Sequence, residues 1–447
     1  MSNTEYGTKG LKRELGRKEL MGIATGQIIG AGIMVLIGQG IGMTGKSINL
    51  AFVLAAIFVV ISSVPMLFLT STLRLRGGGY TQAHILVGPK FAGFWTMIYI
   101  ARNVSISVYA ISFADYVLSL VPGLNHTLIS ILVATVFFVI NIFPTKFIAK
   151  VQNILMTLLI VSLSLFIVFG VGKVQPGYFS DPNYFLNGLK GFLSASAFLT
   201  FAVLGASDIF QLGGECKDPI RDIPFVLIAS TIGVSILYAL IGTVSAGVLP
   251  VSQVANQNLS VVAKEILSNS LYLFFIIGGA LGALATTINS SIAWVTKPLI
   301  QASEDGWFPK KLAKLHPEYK TPIYLLGLFY LVTIIPLIFG IDLNNLTNMV
   351  LVLYFLVMIV TSIATMKIPK LFPDEWDKST FKCSQKTLNF FCIAATIVLI
   401  MQVLINASML ESKLLIWNVA YIIFSYVYVH FRYKSGKVKI NVSYELN

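Results

Sequence analysis

Long apolar runs alternate with short polar segments along almost the whole chain. Twelve runs approach or exceed the ~20 residues that an α-helix needs to cross a bilayer core ~30 Å thick. A membrane β-barrel would instead show alternating segments of about ten residues. The pattern therefore predicts an all-α membrane protein with twelve transmembrane helices. The runs, numbered as segments 1 to 12, cover residues 19–42, 47–73, 91–120, 127–144, 147–172, 187–211, 224–249, 268–302, 321–340, 343–366, 387–408 and 412–431.

The composition excludes a water-soluble protein. Of the 447 residues, 56% are hydrophobic and 11% are charged, and the mean hydropathy is +0.81. A soluble domain normally carries about 25% charged residues. The three cysteines, Cys216, Cys383 and Cys392, are too scattered to predict a disulfide framework or a metal site. The sequence lacks a Walker loop, His-Glu-x-x-His and Gly-x-Ser-x-Gly, so we expect neither an enzyme nor a cofactor.

The net charge of +13 is explained by where the basic residues lie. Of the 32 lysines and arginines, 26 lie at the N-terminus, at the even-numbered loops between segments and at the C-terminus. Positive residues stay on the cytoplasmic side of a membrane, so both termini are predicted to face the cytoplasm of a cell. The basic charge therefore predicts topology, with the lipid bilayer as partner, and nucleic-acid binding is not needed to explain it.

Segments 1 and 6 each contain a candidate interruption. Segment 1 carries Gly26, Gly30 and Gly32 within seven residues, and segment 6 carries Gly205 in the stretch 201–208. Glycine weakens a helix by roughly 1 kcal/mol relative to alanine, so both helices are predicted to break. For each glycine taken alone, close packing between membrane helices remains an alternative.

The spacing of the two breaks predicts an inverted repeat. Segments 1 and 6 each begin a set of five, and an odd number of crossings inverts the second set. Paired interruptions in inverted halves are a pointer to the midplane site of a secondary transporter. The predicted divisions are an N-terminal segment 1–18, a first repeat 19–173, a second repeat 187–367, two extra helices in 387–431 and a tail 432–447.

Backbone polarity suggests the ligand of such a site. The N-terminus of a half-helix offers N–H donors and partial positive charge to a carboxylate, and a C-terminus offers carbonyls to an ammonium. One broken helix of each kind suits a zwitterion, so an amino acid is the expected substrate.

Three motifs resemble those of a known family. The run 26–34, Gly-Gln-Ile-Ile-Gly-Ala-Gly-Ile-Met, resembles the first-segment signature of the amino acid–polyamine–organocation (APC) permeases. The runs 213–224 and 303–322 resemble the loops of that family after segments 6 and 8. The three motifs occur in the order of the family, and the resemblance covers most of the chain.

The resemblance implies the fold shared with the neurotransmitter–sodium symporters and transport of amino acids by alternating access. It implies substrate carboxylate at Gly30, Ala31 and Gly32, and substrate amine at carbonyls near Phe201, Ala202 and Leu204. Phe201 and Arg102 are similar to residues of the L-type amino acid transporters, whereas Ala206 replaces a tryptophan of that subgroup. The full predicted substrate set is Ile29, Gly30, Ala31, Gly32, Phe201, Ala202, Leu204, Gly205 and Ser207.

Three further side chains are candidates for gating or selectivity. Arg102 lies inside segment 3, where it could gate a pathway or cap helix carbonyls. Asp208 could recognise a cationic side chain or join a polar network, and Tyr238 could reach the site through its hydroxyl or simply pack. The uncharged residues around Gly205 favour neutral amino acids. The alternatives are a transporter of cationic amino acids or polyamines and, more remotely, a membrane sensor or a channel.

The run 286–293 is similar to the sodium-binding stretch of the symporters. The implied ligands of Na⁺ are carbonyls of Gly26, Ile29 and Thr286 with the side-chain oxygens of Asn289 and Ser290. Coupling to H⁺, plain exchange, and hydrogen bonding between helices are the alternatives.

Overall fold

The computed structural model describes residues 15–75, 78–143, 148–182, 184–212, 216–440 and 444–445, and the described chain is almost entirely helical. The helices of the first half are α1 (Arg17–Ile28), α2 (Ala31–Thr44), α3 (Ile48–Thr72), α4 (Gly78–Val87), α5 (Pro89–Arg102), α6 (Ser105–Leu120), α7 (His126–Ile140) and α8 (Ile148–Val171). Those that follow are α9 (Gly188–Val203), α10 (Pro219–Gly247), α11 (Val251–Val254), α12 (Ser260–Ile266), α13 (Asn269–Phe274), α14 (Gly282–Val295), α15 (Lys297–Glu304), α16 (Ile323–Ile338), α17 (Leu343–Thr365), α18 (Ile368–Leu371), α19 (Pro373–Lys378), α20 (Gln385–Ser408) and α21 (Ser412–Lys434). Two short strands, β1 (Arg74–Leu75) and β2 (Tyr444–Glu445), pair antiparallel.

The helices confirm an all-α membrane protein with many spans. Each of the twelve apolar segments contains helix. Over the described ranges, nine helical stretches are long and apolar enough to cross a bilayer, and the stretch Gly32–Thr72 runs through two segments. Two further apolar helices, His126–Ile140 and Ile323–Ile338, are shorter. The number of crossings, the side of the termini and the division into two repeats stay predictions.

The outer surface is apolar where a soluble protein would be polar. On α21, the side chains of Ile416, Trp417 and Phe431 are 65–68% exposed. Large apolar side chains this exposed fit a membrane-facing surface, which hydrocarbon rather than water covers. Inside this shell, α3 packs against α9 and α10, and α17 packs against α20.

Both predicted interruptions are present. In segment 1, α1 ends at Ile28 and α2 begins at Ala31. In segment 6 the α-helix ends at Val203 and continues as a 3-10 helix over Leu204–Leu212. Two more irregularities were not predicted: α5 and α6 are separate helices within segment 3, and segment 8 contains a π-helix over Phe275–Leu281.

The loop after segment 8 is fixed by a buried polar cluster. The Tyr80 hydroxyl of α4 donates to the Asp305 carboxylate over 2.7 Å, and the Trp307 indole N–H donates to the same hydroxyl over 3.0 Å. Burial and then the Asp305 carboxylate raise the pKa of Tyr80. The motif at 303–309 therefore anchors α4 to α15 at one end of the bundle. Residues 213–215 of the other loop motif lie outside the described residues.

Candidate substrate site

A cavity of about 200 Å³ lies where the two broken segments meet. It is smaller than the roughly 300–1,000 Å³ of pockets for drug-sized ligands, so it suits a small substrate. Its walls come from α1, α2, α5, α6, α9, the 3-10 helix of segment 6, α14 and α17. The predicted residues that line it are Gly32, Arg102, Phe201, Ala202, Leu204, Gly205 and Ser290.

The remaining predicted residues are spread around this cavity. Ile29 and Gly30 form the break itself, where the Ile29 N–H donates to the Thr25 carbonyl and the Gly30 N–H to the Ile28 carbonyl. Ser207 lies in a neighbouring chamber. The side chains of Ala31 and Asp208 lie outside what the structure describes.

The half-helix α2 presents backbone donors at the break. Its N-cap is Gly30, which has no side chain to occupy the N–H groups of the first turn. Those groups have no partner inside the helix, and the helix dipole makes this end partly positive. On the other side, the α-helical bonding of α9 ends at Val203 and changes to the 3-10 pattern over Leu204–Leu212, whose hydrogen-bond geometry is poorer. Each carbonyl of this turn has two lone pairs, so one can accept from an ammonium. The two ends together can hold a carboxylate and an ammonium.

Glycines allow the two broken segments to touch. A Cβ atom on Gly32 would lie 2.7 Å from Cα of Ala202, and one on Gly205 would lie 2.4 Å from the Gln27 carbonyl oxygen. A Cβ atom on Gly30 would lie 2.5 Å from Oγ1 of Thr287 on α14. Backbone approaches of this kind are a main use of glycine, and here they bring three helices around one cavity.

Tyr238 stabilises the break and does not line the cavity. Its fully buried hydroxyl donates to the Ile28 carbonyl over 2.6 Å, at the last residue of α1. Its ring packs edge-on against Phe52 with the centroids 5.3 Å apart. A helix end buried in a membrane needs such a donor, because hydrocarbon satisfies none of its carbonyls. Tyr238 is therefore a positioning residue.

Arg102 sits between two aromatic rings at the edge of the cavity. Its guanidinium carbon lies 4.9 Å from the ring centroids of both Tyr99 and Tyr354, and these contacts are cation–π interactions. Within the part of the chain that the structure describes, the guanidinium has no carboxylate partner. The side chain is partly buried and lines both the cavity and the adjacent chamber.

The predicted sodium ligands lie on α1, at the break and on α14, and the sodium site stays a prediction. At Thr286 the predicted ligand is the carbonyl oxygen, and the hydroxyl donates within its own helix to the Ala283 carbonyl. The Asn289 side-chain oxygen accepts from the Asn141 amide, at the C-terminal end of α7, over 2.9 Å. Gly26 faces Met156 of α8. Of the predicted side-chain oxygens, that of Ser290 belongs to a residue of the cavity wall.

The face of α14 that meets the cavity includes Ser290 of the predicted ion ligands and three further residues. Thr287, Ser290, Ser291 and Trp294 line the cavity. Their spacing is i, i+3, i+4 and i+7, which is one face of a helix. Helical periodicity counted from Thr287 would have found this face. Tyr99, Tyr109 and Tyr354 also line the cavity, but their positions in the sequence give no comparable signal.

Comparisons with known proteins identify the family of the chain. The chain is 29% identical over 340 residues to the branched-chain amino acid permease BcaP of Bacillus subtilis, covering 71% of this chain and 72% of that protein. It is 24% identical over 338 residues to the methylthioribose transporter of Bacillus subtilis, covering 70% and 72%. It is 24% identical over 349 residues to cationic amino acid transporter 3, mitochondrial, of Arabidopsis thaliana, covering 72% of this chain and 57% of that protein. A family model described as amino acid permease matches residues 15–427, so the chain belongs to the amino acid permease family of the APC superfamily.

Proposed function

We propose that this permease is a secondary transporter of neutral amino acids that works by alternating access at the cavity between its two broken segments. The substrate carboxylate binds the N–H groups of Ala31 and Gly32 beside Gly30, whose own N–H donates to the Ile28 carbonyl, and the amine binds carbonyls near Phe201, Ala202 and Leu204. The observation that carries the proposal is the meeting of two helix interruptions, one offering donors and one offering acceptors, at a single cavity.

The charge of the cavity supports neutral substrates. Among the described side chains that line it, Arg102 is charged and none is acidic. A lysine or polyamine would place a second cation near the guanidinium with no carboxylate to pair with, and like charges brought together cost several kcal/mol. The branched-chain amino acid permease of Bacillus subtilis is named for neutral substrates, whereas cationic amino acid transporter 3 of Arabidopsis thaliana is named for cationic ones.

The wider proposal includes the membrane topology. We infer twelve crossings of the cell membrane, with two inverted repeats over 19–173 and 187–367 and with both termini in the cytoplasm. This topology accounts for the hydropathy and for the distribution of basic residues. Alternating access then consists of motion of the elements that frame the cavity, driven by a gradient or by exchange.

The test is uptake into proteoliposomes that contain the purified full-length chain. Labelled leucine, alanine and serine are compared with lysine and putrescine, each with and without unlabelled substrate inside. We expect saturable counterflow of the neutral amino acids and little uptake of lysine. Preferred uptake of lysine or putrescine would contradict the neutral assignment. Current without saturation would indicate a channel, and binding without uptake would indicate a sensor.

A further inference from the structure

A second chamber, of about 70 Å³, lies beside the main cavity on the other side of Arg102. Its walls come from α3, α4, α5, α17 and the 3-10 helix of segment 6. Arg102 and the two rings that hold it, Tyr99 and Tyr354, line both spaces, so these three side chains form the partition between them.

Two buried polar atoms in this chamber have no hydrogen-bond partner within the described residues. They are the side-chain amide nitrogen of Gln82 on α4 and the hydroxyl oxygen of Ser207 on the 3-10 helix. The side chains are 5% and 7% exposed, respectively. Unpaired polar groups at such depth are unfavourable, so each calls for a ligand or an ordered water.

The chemistry of the three groups indicates which ligand fits. The guanidinium of Arg102 and the amide nitrogen of Gln82 can only donate hydrogen bonds, and the Ser207 hydroxyl can donate one. The other walls are mainly apolar or aromatic, and include Trp95 and Phe210. A cation and two donors in the wall of one chamber favour a small anion with several acceptor positions, of which a carboxylate is the best match to guanidinium.

We propose that this chamber is a carboxylate-binding subsite formed by Arg102, Gln82 and Ser207. The anion comes either from the substrate, whose carboxylate passes the partition as it leaves the main cavity, or from the solution as a free monovalent anion. The first source rests on the proposed transport function, and the second does not. At about 70 Å³ the chamber has room for a carboxylate group, or for roughly two waters at ~30 Å³ each.

The experiment measures anion binding directly. The full-length protein in lipid nanodiscs is titrated with chloride, and the ³⁵Cl NMR line width reports the bound ion. Gln82→Leu and Ser207→Ala each remove one donor with little change of shape. Thr361→Val is the matched control, because Thr361 lines the same chamber but its hydroxyl already donates to the Met358 carbonyl of its own helix.

We expect the wild type and the control variant to bind chloride equally, and Gln82→Leu and Ser207→Ala to bind it about tenfold more weakly. Loss of one hydrogen bond to a charged group corresponds to a change of this order. Acetate should displace the chloride. If saturating leucine displaces it too, then the substrate carboxylate reaches the chamber. If the chloride stays bound with leucine present, the chamber takes a free anion.

Three results would overturn the proposal. Equal line widths in all four proteins would show that the chamber binds no anion. Chloride that acetate does not displace would show that no carboxylate fits. Chloride binding that appears only in Asp208→Asn would show that the carboxylate of Asp208 fills the chamber. Because no transport is measured, failure of the uptake experiment leaves this test intact, and the reverse also holds.

Discussion

The contact between Gly32 and Ala202 gives the sharpest test of how the site is built. In Gly32→Ala, the new Cβ would lie 2.7 Å from Cα of Ala202 and 2.9 Å from its carbonyl oxygen, where ordinary contact begins at 3.4 Å. These atoms are backbone, so no side-chain rotation relieves the overlap. The half-helix α2 and the end of α9 must move apart. Overpacking of this kind costs about 1–3 kcal/mol.

The separation should affect binding as well as stability, because the same two helix ends frame the substrate cavity. If overpacking destabilises the substrate-binding arrangement of the two helix ends by about 1–3 kcal/mol, the affinity for substrate falls by about 5- to 150-fold. The measurements are the affinity for labelled leucine in nanodiscs and the midpoint of thermal unfolding. Gly32→Val should abolish uptake, because its larger side chain also covers the N–H groups at the start of α2.

Gly22→Ala is the matched control on α1, since a Cβ atom at that position would have nothing within 4 Å. Replacing glycine in an open helical position stabilises a protein by about 0.4–1 kcal/mol. We expect this variant to bind leucine like the wild type and to melt slightly higher. Wild-type affinity and an unchanged melting temperature in Gly32→Ala would refute the idea that this backbone contact holds the site.

Other variants test the remaining parts of the site. Gly30→Ala should lose uptake and Thr287→Ala in the same chain should restore much of it, because the predicted clash is with the Thr287 hydroxyl alone; no restoration would place the defect elsewhere. Tyr238→Phe should lower stability by about 1 kcal/mol and slow uptake, since one donor to the break is lost; unchanged melting and uptake would remove its positioning role. Arg102→Gln should raise the uptake of lysine relative to leucine at least tenfold if the guanidinium excludes cations, and an unchanged ratio would contradict that role. Replacing Na⁺ by choline at fixed pH and potential should lower uptake if sodium is coupled, and unchanged uptake would refute the sodium prediction.

The membrane fold and the two interruptions could be predicted because both depend on short stretches of the sequence. Apolar runs long enough to cross a bilayer identify helices without reference to the rest of the chain. The glycines around position 30 weaken segment 1 where the structure shows the break between Ile28 and Ala31. The transporter family was also recognisable from short motifs, and the comparisons confirm it.

The break in segment 3 has no such local mark. Arg102, Asn103, Val104 and Ser105 include neither glycine nor proline. In the structure the side-chain amide of Asn103 donates to the Tyr99 carbonyl over 2.7 Å. The side chain thus competes with backbone N–H groups for a carbonyl of its own helix. Asparagine occurs in many intact helices, so its presence alone does not predict that this one ends.

The hydrogen-bond partner of the Asn289 side chain could likewise not be predicted from the sequence. It depends on a hydrogen bond with Asn141, which is 148 residues away in the sequence and on a different helix. The packing of α7 against α14 brings the two amides together, and this packing is not visible in the sequence of either helix. The predicted ion ligands were chosen by similarity to another family, and similarity does not fix which face of α14 meets the cavity.

The glycines of the broken segments bring together two interpretations that the sequence left as alternatives. At Gly32 the missing side chain lets α2 contact the backbone of Ala202, which is the packing interpretation. Gly32 also lines the cavity at the start of α2, where no side chain caps the first N–H groups, and this is the binding interpretation. A larger residue at position 32 therefore changes both the helix contact and the binding of the carboxylate. The Cα and carbonyl oxygen of Ala202 that a Cβ at position 32 would meet are backbone atoms, so no substitution at position 202 removes them. We therefore expect Ala202→Gly to leave the affinity for leucine unrestored in the Gly32→Ala background, and a full return of affinity would show that the Cβ of Ala202 alone makes the contact.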